Sequence, residues 1–358
     1  MIRDLARILL ALIIMSLSVT VPSALVGGSS PREDAEHAWA EDTVFTVTQV
    51  RAGVYFATGR AGRLVGANSV FVVTDRDVVV VDDHITPAAA RALIGEVRRV
   101  TTLPIRYVVN THFHYDHTNG NSAFGPEVEI LSHPATRARL LASGQESIRQ
   151  QLAGIPNTLA TLRARRDSAA GDSARALLER QIASWDELER EYRQLSVVLP
   201  TLTVDSSLAL HRGGGQEIRV FYVGRGHTAG DVVVHLPREG LLLTGDMLTN
   251  TAGPPFMVDG YPGEWGATLR RLAQLDFATT LPGHGGPLDG KQRYLATADF
   301  MDDLWAQVQA LARRNVGREE VAARLDLTRH QPTFPALRGG INRAFAQRAH
   351  DLATGQAN

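Results

Sequence analysis

The 358-residue sequence contains no cysteine. That absence removes disulfides, a lipidated thiol anchor and every thiolate metal ligand, so any metal centre must be built from imidazole and carboxylate. Lysine occurs once, at Lys291, which weighs against mechanisms that run through a lysine Schiff base. Charge of one sign is also missing: 37 Lys and Arg face 38 Asp and Glu, leaving a net charge of -1. No global field or local basic patch is present to hold a phosphate backbone, so a small molecule is the expected partner and nucleic acid is not. Long hydrophobic runs are confined to the N-terminus. There Arg3 and Arg7 precede an apolar stretch from Ile8 to about Val21, followed by small residues, the pattern of an export signal.

Residues 1–28 are therefore expected to be a signal peptide, and 29–43 a polar linker. Cleavage after Ala24 or after Ala40 fits the pattern, and an uncleaved anchor is the alternative, because Leu25 and Val26 nearly extend the run to membrane-spanning length. The mature protein is expected in the periplasm or secreted, with no membrane attachment after cleavage.

From residue 44 onward β-branched runs predict strands at 44–50, 54–57, 69–74 and 77–82. Pro87 then opens a helix to about Val100, with Ala90, Leu93, Ile94 and Val97 on one face, and 105–110 returns as a buried strand. Between about 136 and 196 strand signals vanish. Leu178, Ile182, Trp185, Leu188, Tyr192 and Leu195 recur there at helical spacing, predicting a helical insertion that is a helix pair burying its own stripe, a lid or a dimer contact. Strands resume at 208–211, 217–223, 231–236 and 240–244, a helix follows from Trp265 to about Leu275, and 296–358 reads as a helical extension. The second half of 44–295 thus repeats the order of the first.

Chemistry concentrates at the end of the 105–110 strand, in His112, His114, Asp116 and His117. In an extended segment residues 112, 114 and 116 point one way, and His117 needs a turn to join them. Neutral imidazole and carboxylate are good zinc ligands, and four of them within six residues suggest two metals, for which the chain must supply further ligands later. Gly226-His227, Gly245-Asp246 and Gly283-His284 do so, each beside a glycine that permits a tight turn.

In this order the motifs resemble those of the metallo-β-lactamase superfamily, matched by Asp82, the 112–117 run, His227, Asp246 and His284. The resemblance covers roughly residues 44–295 and implies an α/β (α+β) αββα sandwich. It also implies two zinc ions, one on His112, His114 and His227, the other on Asp116, His117 and His284, with Asp246 bridging. Iron and manganese accept the same ligands. Asp82 resembles the family's acid that stands behind a metal-binding histidine; a helix-capping or turn role is the alternative. Tyr115, Asn119, Met257 and Tyr261 lie where family members line the substrate cleft, while His84 and His133 are near enough in sequence for a pocket role.

Departures from particular branches narrow the expectation. Branches with a cysteine ligand are excluded, and the β-lactamases with only His and Asp ligands do not use a bridging aspartate. Only 37 residues separate Asp246 from His284, too few for the domain inserted in the nuclease branch. The residues after Tyr294 are too few for the C-terminal domains of alkylsulfatases or the flavin domain of flavodiiron proteins. The reading that remains is a binuclear zinc hydrolase acting on an ester, thioester, lactone or β-lactam through a metal-bridged hydroxide, with Asp116 as the catalytic acid–base. A non-catalytic periplasmic metal-binding or accessory protein of the same fold is the alternative.

Overall fold

The structure, a computed structural model, describes residues 44–60 and 65–356. The expected signal peptide (1–28) and the whole of the expected linker (29–43) lie outside the described residues. At the centre of the first sheet four consecutive valines, Val78–Val81, form a strand buried at every position. Such a run is what a strand covered on both faces requires. The sheet holds β1 (Phe45–Arg51), β2 (Val54–Gly59), β3 (Ser69–Val73), β4 (Val78–Val81), β5 (Ile105–Val109), β6 (Glu129–Ser132) and β7 (Leu202–Thr203), in that spatial order. The pairs from β1 to β4 are antiparallel and those from β4 to β7 parallel.

Parallel neighbours need crossover connections. Helix α1 (Pro87–Val100) supplies the first; Pro87 stands at its start and Thr86 Oγ1 accepts the Ala89 N–H at 3.0 Å, the capping that fixes this boundary. The one-turn helix α2 (Tyr115–Thr118) lies on the way from β5 to β6. The crossover from β6 to β7 is the helical insertion: α3 (Pro134–Arg139), a π-helical turn (Leu140–Gly144), α4 (Gln145–Asp167) and α5 (Asp172–Gln194). Its Ile155, Leu159, Leu162, Ile182, Trp185 and Leu188 pack on one another, with Ile85 joining from the sandwich.

The second sheet runs β8 (Ser207–His211), β9 (Glu217–Tyr222), β10 (Val232–Leu236), β11 (Leu241–Gly245), β12 (Thr279–Pro282) and β13 (Leu288–Asp289). It repeats the plan of the first, antiparallel through β11 and then parallel to β12, across α6 (Pro262–Ala273). Helices α7 (Gln292–Arg313) and α8 (Arg343–Ala353) follow.

Side-chain alternation sorts the layers. Val79, Val81, Val109 and Leu131 meet Val220, Val234, Leu241 and Leu243 between the sheets. Val78, Val80 and Val108 face outward against Leu93 and Val97 of α1. On the far side Val233 and Leu242 meet Trp265 and Leu269 of α6 and Met301 and Leu304 of α7. The chain is thus an αββα sandwich.

Three details differ from the sequence reading. Strands β6, β7, β12 and β13 were not expected, being two to four residues long. The boundary drawn at 295 falls inside α7, which packs with α6 in one core and so belongs to the outer layer. Within the expected helical extension, Val321–Arg324 is a 3-10 turn rather than an α-helix. Among the described residues no helix is long and apolar enough to cross a membrane.

Candidate metal centre

Five connections at one rim of the sandwich carry the polar motifs: Asp82 follows β4, residues 112–117 follow β5, His227 lies between β9 and β10, Asp246 follows β11 and His284 follows β12. These are mostly the carboxyl ends of parallel strands, where open sheets place their sites. Backbone bonds lace the two sheets together here, from Val232 N–H to Thr111 O at 2.8 Å and from Asn68 N–H to Gly283 O at 2.7 Å.

The first motif is not extended throughout. His114 ends the extended part and α2 begins at Tyr115, so Asp116 and His117 enter the site from a helical turn rather than by strand alternation. Thr118 Oγ1 donates to His114 O at 3.1 Å and closes that turn.

All seven side chains meet. His112 Nε2 lies 3.1 Å from His114 Nδ1, and the His112 ring centroid is 4.5 Å from that of His227. His284 Nε2 is 3.2 Å from Asp116 Oδ2 and 3.4 Å from Asp246 Oδ2. His117 Nε2 stands 3.7 Å from Asp116 Oδ2 and 3.6 Å from Asp246 Oδ1. Asp246 Oδ2 is also 3.9 Å from His227 Nε2, which puts this carboxylate between the two groups of imidazoles. Three overlapping sets can each hold an ion: His112, His114 and His227; His112, His117 and Asp246; and Asp116, His117 and His284.

The arrangement fits metal ions on two independent grounds. A tetrahedral ion about 2.0–2.1 Å from its ligands separates ligand atoms by about 3.4 Å, and the distances above cluster around that value. Moreover, the buried Nε2 atoms of His117 and His227 and Oδ1 of Asp246 have no hydrogen-bond partner. Buried polar atoms left unpaired cost free energy, and convergence of three of them marks a place for a cation. The site also leaves no room to spare: a Cβ on Gly283 would come within 2.4 Å of Asp246 Oδ1 and 2.9 Å of His117 Cε1.

The ligand side chains shift one another's ionisation in opposite directions. Burial works against ionisation of Asp116, yet His117 and His284 hold its pKa down to about 2. Burial likewise opposes the charge on His284, but Asp246 and Asp116 lift it to about 10. His117 is raised well above the ordinary imidazole value, burial being outweighed by Asp82, Asp116 and Asp246. His112 goes the other way, driven down by burial and then by the neighbouring imidazoles. A metal ion held by these residues would take the place of the protons on His117 and His284.

Carboxylates stand behind the imidazoles, the arrangement that fixes ring orientation and tautomer in metal-binding histidines. Asp82 Oδ2 is 2.8 Å from His117 Nδ1, while its Oδ1 accepts the Thr111 N–H at 2.8 Å. Asp82 adopts φ +60°, and helix α1 is capped by Thr86 instead, so the helix-capping alternative does not hold. Asp231 Oδ1 is 3.4 Å from His227 Nδ1, and Asp259 Oδ2 is 3.2 Å from His114 Nε2. Neither Asp231 nor Asp259 was singled out from the sequence. Asp231 follows His227 by four residues through a glycine turn, a spacing that was there to be read.

The expected cleft residues are placed differently. Met257 is fully buried in the core beneath α6, and its neighbour Asp259 reaches the site instead. Tyr261 lies between two guanidinium groups, with Arg225 at 4.4 Å and Arg348 at 5.3 Å from its ring. Asn119 is buried and spends its amide on Tyr192 Oη at 3.2 Å, and Tyr115 packs against the helical insertion. Outside the site, His133 caps α3 and stacks on Tyr222, while His84 Nε2 meets Ser69 Oγ at 2.9 Å beneath the Asp82 backbone.

Residues 62–154 and 164–284 match the metallo-beta-lactamase superfamily, and the chain belongs to that family. A linear primary-alkylsulfatase of a Pseudomonas species is 25% identical over 227 residues, a match covering 60% of this chain and 41% of that protein. A probable metallo-hydrolase of Bacillus subtilis is 26% identical over 219 residues, covering 58% of this chain and 63% of its own length. The chain therefore spans about two fifths to three fifths of these curated relatives. The metallo-β-lactamase FIM-1 of Pseudomonas aeruginosa, solved in a mono-zinc form, superposes with a TM-score of 0.52 at 17% identity, over 74% of this chain and 97% of that one. This likeness is one of fold.

Proposed function

We propose that this metallo-β-lactamase-superfamily hydrolase is exported and holds two divalent ions, zinc in the first instance, for hydrolysis of an ester, thioester, lactone or lactam. The observation that carries the reading is the convergence of His117 Nε2, His227 Nε2 and Asp246 Oδ1, buried and unpartnered, within one cluster of seven ligating side chains. His112, His114 and His227 would hold one ion, Asp116, His117 and His284 the other, and Asp246 would touch both. When bound, such a pair supplies a water of lowered pKa and positive charge opposite the oxygen of an attacked carbonyl.

The chain's own residues do the rest. Among Asp82, Asp116 and Asp246, Asp116 is the most exposed, at 18% of its side chain, so it faces an incoming substrate. Its carboxylate would accept a proton from the attacking water and return it to the leaving group. Phe256 lies edge-on to His114 at 5.7 Å and gives the site an apolar wall that excludes bulk water. An anionic substrate must be met by arginine, asparagine or backbone N–H groups, since Lys291 is engaged with Leu275 O and the Phe277 ring.

The test is a chromogenic panel of nitrocefin, thioesters, aryl esters and lactones, run on zinc-loaded protein with a chelator control. Chelator-sensitive turnover of one class is expected. Zinc-replete protein that turns over nothing on the panel would favour a non-catalytic, metal-binding accessory role.

A further inference from the structure

His114 Nε2 lies 3.2 Å from Asp259 Oδ2, and Asp259 Oδ1 in turn lies 3.5 Å from an Arg139 guanidinium nitrogen. The three residues come from unrelated stretches. His114 follows β5, Asp259 sits in the loop before α6, and Arg139 ends α3, immediately before the π-helical turn of the insertion. Arg139 also lies over the Phe113 ring, 5.2 Å from its centroid, which holds the guanidinium against the residue preceding His114. The other nitrogen of His114, Nδ1, faces His112 Nε2 at 3.1 Å.

We infer that Asp259 is a positioning residue for the metal centre: it takes the Nε2 proton of His114 in a hydrogen bond, leaving Nδ1 as the ligand atom, and Arg139 of the helical insertion holds Asp259 in place. The inference rests on the two-metal reading above. The chemistry follows from the two ends of one imidazole. A neutral ring carries a single N–H, so an acceptor fixed at Nε2 selects the tautomer whose Nδ1 lone pair points at His112. A carboxylate does this better than a neutral acceptor because the charge-assisted bond also raises the basicity of the opposite nitrogen. Arg139 acts only through Asp259; its side chain is 51% exposed, so its own contribution is screened and small. The geometry thereby ties the inserted helices to the metal centre, and gives them a role besides covering their own apolar stripe.

The experiment measures zinc affinity of the full chain by competition with a chromogenic chelator, and the visible absorption of the cobalt(II)-substituted protein. Asp259→Ala is expected to weaken binding of one ion by about 10–100-fold and to change the cobalt band, with metal-free melting near that of the wild type. Asp259→Asn keeps an acceptor without the charge and is expected to fall between the two. Arg139→Ala should weaken binding less than Asp259→Ala does, and should add nothing in the Asp259→Ala background. Wild-type affinity and an unchanged cobalt spectrum in Asp259→Ala overturn the inference while leaving the two-metal reading intact. A wild-type protein that binds no divalent metal overturns both.

Discussion

Asp82 Oδ2 sits 2.8 Å from Nδ1 of His117, which leaves the other ring nitrogen of His117 buried without a partner and aimed at Asp116 and Asp246. A backbone at φ +60°, uncommon outside glycine, puts the Asp82 carboxylate there. The same carboxylate takes the N–H and hydroxyl of Thr111, at 2.8 and 2.9 Å, so the strand end and the imidazole are fixed by one side chain. Asp82→Ala is expected to lower affinity for the ion on His117 by about 10–100-fold. Titration with zinc against a competing chelator measures it, and two equal, undiminished sites in the variant would contradict this account.

Asp116→Asn tests the proton-handling role. With both ions bound, turnover is expected to fall by about 100-fold or more, the range that a positioned acid–base group contributes, while the far-ultraviolet circular dichroism stays that of the wild type. Metal content must be measured in the same samples. A fully loaded variant with undiminished kcat removes Asp116 from the chemistry.

On the proposed two-metal reading, removing metal should destabilise the protein, because the ions would bind the folded cluster and no comparable site exists once the four ligand-bearing stretches separate. At free zinc about 100 times its Kd the gain is about 2.7 kcal/mol. For a chain of this size that corresponds to a melting temperature roughly 4 °C lower in chelator than in zinc. Scanning calorimetry in the two buffers gives the comparison, and identical melting in both would speak against occupied sites.

His84 gives a pH prediction. Burial, reinforced by the charge of His117, holds its pKa down to about 3. Between 6.5 and that value the unfolded chain carries a proton on this residue that the folded chain does not, so stability rises with pH across the window and is lost on acidification. His84 has φ +76°, a conformation asparagine tolerates well. His84→Asn should therefore fold and show a shallower loss of stability between pH 6.5 and 4 in urea titrations. A slope equal to that of the wild type would mean that other groups carry the acid sensitivity.

How far the sequence reached depended on how local the deciding physics was. Helix α1 was legible because Pro87 opens it and Leu93 and Val97 mark its face, all within a few turns. The H-x-H-x-D-H run and the three glycine-flanked ligands were legible because ligand chemistry restricts the residue types and tight turns demand glycine beside them. Their order along the chain, with the strands between them, pointed to the sandwich. Short β6 and β12 escaped because four residues beside a charge or a proline carry no readable period.

What only the tertiary structure decided is which side of each connection faces the ions. Between Met257 and Tyr261 the sequence offers no rule for orientation, and it is the seating of Met257 in the core under α6 that turns Asp259 toward His114. The turn of α2 that delivers Asp116, the Tyr192 hydroxyl that occupies Asn119, and the reach of Arg139 from the insertion are settled in the same way. Each depends on contacts between segments tens of residues apart, where packing of one side chain fixes the direction of the next, and no local pattern records that.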